Sequence, residues 1–337
     1  MKNKNKYSTY VWACDFNHNT GEGKLAQLFI RYYLQKYKNE KIVIETSQGV
    51  SNFIYGKSNK IKTNKKKINY NFYYKYIKPI VGIFKIYKNK YFLKKKTLYL
   101  NFLPMWNILL FLFLPKKTVL GPITGSELHN TSSLRGFVRL IVLSALNFIT
   151  KIIIFLKYDK LIFSTNLISV NNKNYTNLFQ LQYLKALKKR KKTKKDIDFI
   201  FYFRKHNNKH LKEEILFINK LISKGYNVKI CGDCPDKNKE NYLGFLSKRK
   251  LQKILDRSRF TLSSQENPFS FFIQDAINSN VRIMFHKNHE NYIKNVFKDY
   301  YLIDLQNNYS IQQIFKNLKK TKTTKLNKKT LKYKFNI

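Results

Sequence analysis

The stretch "IDFIFYFRKHNNKHLKEEILFINKLISKGYNVKICG", Ile197–Gly232, decides the fold. "IDFIFYF" is β-branched and aromatic and reads as a strand; "KHLKEEILFINKLISK" reads as a helix and "NVKICG" as the next strand. Strand, helix and strand in that order make the unit of a parallel sheet. The rhythm continues through "YLGFL", the helix "SKRKLQKILDRS", the strand "FTLSS", a helix after "QENPFS", and "VRIMF". "YYLIDL" and the helix "IQQIFKNLKK" close it before a Lys-rich tail.

Upstream the same pattern stands alone. "YSTYVWAC" (Tyr7–Cys14) is a strand, "DFNHNTGEG" a polar, turn-rich loop, "KLAQLFIRYYLQKY" a helix and "KIVIET" (Lys41–Thr46) a strand. "TLYLNF", "TVLGPITG" and "KLIFST" read as further strands, whereas Gly56–Lys96, crowded with Lys, Asn and Tyr, reads as irregular. Between the halves lies "KALKKRKKTKK" (Lys185–Lys195), a like-charged run that repels itself and stays solvated. The expectation is an α/β protein of two Rossmann-like domains, 1–190 and 191–310, followed by a helix and basic tail, 311–337.

The composition, with 43% hydrophobic and 16% aromatic residues, excludes global disorder. The 66 Lys+Arg against 19 Asp+Glu give a formal charge of +47, which points to an anionic membrane or nucleic acid. Lys, Asn, Ile, Tyr and Phe are all inflated, as AT-rich codons dictate, so codon bias accounts for part of the charge. It does not account for the scarcity of Asp and Glu. The three cysteines, Cys14, Cys231 and Cys234, are too few for a disulfide framework and fit a reducing compartment. "CGDC" (Cys231–Cys234) has no helix start to lower a thiol pKa and no second pair to complete a zinc site, so it reads as a packed strand end. The N-terminus has no signal-peptide pattern. "LPMWNILLFLFLP" (Leu103–Pro115) is shorter than the ~20 residues a span requires. "FVRLIVLSALNFITKIIIFLK" (Phe137–Lys157) is long enough, but Arg139, Asn147 and Lys151 leave it a polar stripe, which suits a packed or interfacial helix.

Three loops of the second half follow strands directly, and ligands of open α/β sheets bind outside the carboxyl ends of strands. "FRKHNNK" offers Arg204 and Lys209; "CGDC" offers Gly232; "SSQENPFS" offers Glu266 and a helix expected to start near Pro268. Two cations and a helix mouth hold a diphosphate, and nearby carboxylates accept hydrogen bonds from sugar hydroxyls.

In these residues Ile197–Phe285 resembles the donor-binding half of the group-1 glycosyltransferases, which have the GT-B fold of two Rossmann-like domains facing across a cleft. That family shows a strand ending in Arg with a Lys five positions on, here Arg204 and Lys209. It shows a strand ending in Gly-Asp, here Gly232–Asp233, then a Gly-aromatic segment before a helix, here "YLGFLSKRKLQKIL". Last comes an acidic pair across a strand–helix turn, here Glu266 and Asp275. The resemblance implies that Arg204 and Lys209 neutralise the leaving diphosphate, that Glu266 contacts the transferred sugar and that Asp275 contacts the ribose. Amides around Asn267, Phe269 and Ser270 would meet the phosphate. Phe203 and His210 replace the family's flanking glycines, Asp275 comes one place late with Pro268 inserted, and Asn280-Val281-Arg282 stands for Gly-x-Pro. Gln274, at the family's spacing from Glu266, is therefore the alternative ribose contact. "NTGEGKLAQLF" occupies the place of the family's glycine loop, which nominates Gly21 and Gly23 for the donor phosphates. "LGPITGSELHN" (Leu120–Asn130) resembles the acceptor-side loop and nominates Gly125 and His129.

By this resemblance the chain is a retaining, metal-independent hexosyltransferase with no cofactor beyond its nucleoside-diphosphate sugar, UDP- or GDP-linked. It would act on a glycan or lipid-linked acceptor in surface polysaccharide synthesis, lipopolysaccharide or capsule. It would sit in the cytoplasm, peripheral on the inner face of the cell membrane, held by anionic lipid. Two alternatives stay open: a catalytically degenerate homologue, and a basic single-strand nucleic-acid-binding protein. No nucleic-acid partner is expected, since the charge runs along the whole chain and no helix-turn-helix, RNP-like or zinc-finger signature is present.

Overall fold

The computed structural model describes residues 7–17, 20–37, 40–46, 49–54, 77–104, 107–124, 134–158, 161–163, 175–177, 193–203, 212–233, 239–265, 267–305, 310–320 and 322–327. The chain divides into two compact units, Met1–Phe179 and Gln180–Tyr333.

The first unit opens with β1 (Thr9–Ala13), buried at every position, and α1 (Gly21–Lys36). Then come β2 (Lys41–Thr46), β3 (Gly49–Ile54) and α2 (Lys78–Tyr87), which continues in a π turn at Lys88–Phe92. β4 (Lys96–Pro104), α3 (Ile108–Phe113), β5 (Val119–Thr124), α4 (Leu134–Lys157), β6 (Leu161–Phe163) and β7 (Tyr175–Asn177) complete it. The sheet order is β3-β2-β1-β4-β5-β6-β7, parallel except for β3, which pairs antiparallel with β2. Two of these elements correct the expectation. β3 extends the edge, and α2 with its π turn occupies part of the segment read as irregular. Pro79 stands in the first turn of α2, where its missing N–H costs no hydrogen bond.

Tyr10, Trp12, Tyr99, Leu120 and Leu161 form one core with Ile83 and Ile86 of α2, Leu110, Phe111 and Leu114 around α3, Ile154 of α4 and Tyr158 just after it. These three helices thus share one packing layer on the sheet. The Tyr158 hydroxyl bridges α4 to α3 by donating 2.6 Å to the Phe111 carbonyl. Gly82 lets α2 lie directly on Trp12: a Cβ there would stand 2.2 Å from the indole Nε1. Among the described residues no helix is long and apolar enough to cross a membrane.

The second unit runs β8 (Ile197–Phe203), α5 (Lys212–Ser223), β9 (Val228–Gly232), α6 (Lys248–Arg257), β10 (Ser258–Leu262), α7 (Phe271–Asn278) and β11 (Arg282–His286). A short α8 (Glu290–Ile293), β12 (Phe297–Lys298), β13 (Tyr301–Ile303), α9 (Ile311–Lys320) and β14 (Lys325–Leu326) follow. Five parallel strands stand in the order β13-β11-β10-β8-β9, and β12 pairs with β14 in a separate two-stranded ribbon. Phe199 of β8 packs on Phe260 of β10 at 5.3 Å and meets Tyr226 edge-on. The helix of the expected C-terminal segment, α9, buries Ile311, Ile314 and Leu318 in this same core. The α/β class with two Rossmann-like units stands as the sequence reading expected.

Candidate functional site

A ligand crevice in an open parallel sheet opens outside the carboxyl ends of the strands, where the strand order reverses. In the second unit the reversal falls between β8 and β10. β8 ends at Phe203, the residue before Arg204, and Phe203 pairs with Gly232 at the end of β9. β10 ends at Leu262 and leads through the Ser263–Ser270 loop into α7. The structure thereby brings Gly232, Asn267, Phe269, Ser270, Gln274 and Asp275 to neighbouring strand ends. Arg204, Lys209 and Glu266 lie outside the described residues, as do Gly125 and His129.

Gly232 is required by its backbone. Its φ is +95°, and a Cβ would stand 2.0 Å from the Phe203 carbonyl oxygen. The chain turns closely over the end of β8: Asp233 N donates to that oxygen at 2.8 Å, Gly232 N donates to Gly244 O at 2.9 Å, and the Tyr242 hydroxyl donates to Gly232 O. Cys231 just before it is buried, which pushes its thiol up to about 12. Burial likewise pushes Cys14 up to about 12. Neither thiol is a nucleophile at neutral pH.

The loop after β10 is organised by its own side chains. Asn267 Oδ1 accepts from Phe269 N at 2.8 Å, and Ser270 Oγ accepts from Ile273 N at 3.3 Å. Ser270 is thus the N-cap, and α7 starts at Phe271 instead of near Pro268, which is buried in the preceding turn. The amide of Phe269, expected to meet a phosphate, is taken up inside the Asn267 turn, and its ring is core, stacked on Phe297 at 5.9 Å. Asp275 sits little more than one turn inside α7, with its carboxylate 3.7 Å from Lys248 Nζ at the start of α6. The half-buried Gln274 is its neighbour in the helix. At the far end of α7, Asn280 takes φ +54°, in the left-handed region that asparagine tolerates, and Val281 N donates 3.0 Å to Ala276 O.

Sequence reasoning missed a buried polar cluster at the same edge. Glu214, from the first turn of α5, is 9% exposed, and its Oε1 accepts from Gln265 N of the β10 loop at 3.3 Å. The same oxygen lies 3.3 Å from His286 Nε2 at the end of β11, and the fully buried His289 ring meets His286 edge-on at 6.1 Å. One carboxylate therefore bonds the β10 loop to α5 and stands beside the end of β11. The available signal was a pair of glutamates opening a helix in an acid-poor chain. Among the described residues no three of His, Cys, Asp and Glu stand close enough to hold a metal ion.

In the first unit the reversal lies between β1 and β4. Thr20 caps α1, accepting from Gly23 N at 3.1 Å, and its hydroxyl lies 2.5 Å from Oδ2 of the buried Asp15, whose Oδ1 accepts from Asn17 N at 2.8 Å. A Cβ on Gly23 would stand 2.1 Å from Asn17 O, so this glycine serves the closure of the loop; Gly21 faces open space. Two carboxylates, Asp15 and Glu22, therefore stand at the helix mouth where the expectation for Gly21 and Gly23 had a phosphate.

No family model matches the sequence. No curated protein matches it. Among solved structures the chain is similar to a GtfA/B complex, at 13% identity and a TM-score of 0.40, over 82% of this chain and 58% of that one. It is also similar to a DNA-modifying β-glucosyltransferase determined with and without its substrate uridine diphosphoglucose, at 11% identity and a TM-score of 0.45, over 93% of this chain and 88% of that one. A third likeness is to the E. coli heptosyltransferase WaaC with ADP-2-deoxy-2-fluoro heptose, at 12% identity and a TM-score of 0.29, over 82% and 88%. The chain spans little more than half the length of the first. At these scores the fold assignment rests on the strand order itself: two Rossmann-like units.

Proposed function

We propose that the chain is a glycosyltransferase whose second unit binds a nucleoside-diphosphate sugar, UDP- or GDP-linked, at the carboxyl edge between β8 and β10. The observation that carries the reading is the convergence of β9, β8 and β10 strand ends at the reversal, each leading into a loop that bears one of the resembling motifs. Breaking a glycosyl–phosphate bond leaves negative charge on the diphosphate, which needs fixed positive partners. Arg204, next after β8, and Lys209 serve as these partners and take the place of a metal. Glu266 holds hydroxyls of the transferred sugar, and Gln274 or Asp275 the ribose. The anomeric configuration is retained. The acceptor is a glycan or a lipid-linked sugar of a surface polysaccharide, met at the inner face of the cell membrane.

The test is a thermal-shift panel of UDP, GDP, ADP and CMP on the wild type and Lys209→Ala. A ligand at 100 times its Kd stabilises the folded state by about 2.7 kcal/mol. Stabilisation by one diphosphate, lost in Lys209→Ala, is the expected result. No stabilisation by any nucleotide overturns the reading, and stabilisation without sugar release from any donor reduces it to a binding homologue.

A further inference from the structure

We propose that the outer face of the α2–α3–α4 layer docks on an anionic phospholipid bilayer. This specifies the surface by which the chain meets the membrane of the proposed function, and its evidence is separate from that for the donor site.

The outward side of each helix is apolar. Along α2 and its π turn, Ile77, Ile80, Phe84, Tyr87 and Tyr91 recur at three- and four-residue spacing, so they form one stripe, and all are exposed. Phe84 is 70% exposed and Phe92, at the end of the π turn, 82%. α3 adds Leu109, Leu112 and Phe113. On α4, Ile141, Val142, Phe148, Ile149, Ile152 and Phe155 repeat the same spacing, all exposed. Meanwhile its inward side holds Thr150, fully buried, and the buried Oδ1 of Asn147; neither polar atom has a hydrogen-bond partner among the described residues. An ordinary surface helix puts its polar residues in water and its apolar ones against the core. α4 turns apolar residues outward as well, and α2 and α3 beside it do the same. A continuous apolar surface of this kind marks an interaction site.

Charge identifies the partner. From Ile77 to Tyr158 the sequence has a single acidic residue, Glu127. Four lysines gather where α3 ends. The Lys90 ammonium donates to the Lys116 carbonyl, and Lys157 Nζ donates to Phe111 O at 3.3 Å. Burial first, and then Lys117, lowers the pKa of Lys90; burial first, and then Lys116, lowers that of Lys157. Crowded cations beside an apolar stripe match phosphate headgroups above acyl chains. Across a two-fold contact with a second copy, by contrast, this all-basic layer would face its own like charge.

The test is co-sedimentation of the full chain with vesicles of phosphatidylcholine alone and of phosphatidylcholine mixed with phosphatidylglycerol. It is run on the wild type, on Phe84→Glu/Phe155→Glu and on Lys116→Glu/Lys117→Glu, with circular dichroism and size-exclusion chromatography on each. The wild type should bind the mixed vesicles, weaken with salt, and bind about tenfold or more less tightly in either double variant. Wild-type protein that stays in solution, or folded variants that bind as wild type, would overturn the proposal. Concentration-dependent dimers that Phe84→Glu/Phe155→Glu dissolves, without vesicle binding, would overturn it in favour of self-association. Nucleotide stabilisation measured on the same preparations keeps the two readings apart: its absence counts against the donor site alone.

Discussion

Gly232→Ala perturbs the point where the second unit's strand ends meet. Gly232 has φ +95°, and a Cβ would come within 2.0 Å of the Phe203 carbonyl oxygen and 3.2 Å of the Tyr202 ring. The backbone conformation alone costs a residue with a Cβ about 1–2 kcal/mol. Relieving the overlap moves the Phe203 carbonyl away from Asp233 N, which donates to it at 2.8 Å, and a lost hydrogen bond adds about 1 kcal/mol. The sum is a destabilisation of about 2–3 kcal/mol. Gly225→Ala is the matched control, since Gly225 has φ +77° with nothing within 4 Å of its Cβ position. It carries the conformational cost without the overlap. Urea unfolding followed by circular dichroism should rank the wild type above Gly225→Ala and Gly225→Ala above Gly232→Ala. Hydrogen exchange should place the extra loss in peptides covering β8 and β9. Because the displaced carbonyl belongs to the residue before Arg204, Gly232→Ala should also weaken diphosphate binding. If Gly232→Ala proves no less stable than Gly225→Ala, the close approach of the two strand ends is wrong.

Glu214→Ala should lower stability by about 1–3 kcal/mol, because it strands the half-buried Gln265 amide and removes the carboxylate beside the buried His286. Glu214→Gln, which keeps an acceptor, should cost less, and faster exchange of the Gln265 amide in Glu214→Ala alone is the signature to look for. Burial holds Lys195 down at about 8, against the opposing pull of Asp256 and with the help of Arg282. Between about 8 and the ~10.4 of an unfolded lysine, the unfolded chain binds the extra proton, so this group makes stability rise with pH. The stability of the wild type relative to Lys195→Met should therefore increase over that interval; a flat or falling difference in urea titrations would contradict the burial.

The strand–helix alternation was legible because buried parallel strands are near-continuous apolar runs, as in "IDFIFYF" and "TYVWA", bounded by polar loops. The helix α2 was hidden by the same property that marks its docking face. Ile77, Ile80 and Phe84 point outward while Ile83 and Ile86 point inward, so no polar side gives the segment a readable period. At the site, proline's positional preference points to a helix start near Pro268, but Ser270 supplies the hydroxyl that caps Ile273 N, and local hydrogen bonding outweighs that preference. Asn280 stands where the group-1 glycosyltransferases that the sequence resembles have glycine, and asparagine tolerates the φ of +54° that the turn demands. The Glu214–His286 contact was invisible because its partners are far apart in sequence and only the sheet order brings α5 beside the end of β11.

The central claim is that cationic side chains of the second unit, with no metal, hold a nucleoside diphosphate. The most direct measurement is an equilibrium titration of the wild type, Arg204→Ala and Lys209→Ala with UDP and GDP, each against its monophosphate, in the presence of EDTA. The account predicts that one diphosphate binds without divalent cation, more tightly than its monophosphate, and that either substitution removes most of that preference. Binding that requires a divalent cation, or that does not distinguish diphosphate from monophosphate, would contradict it.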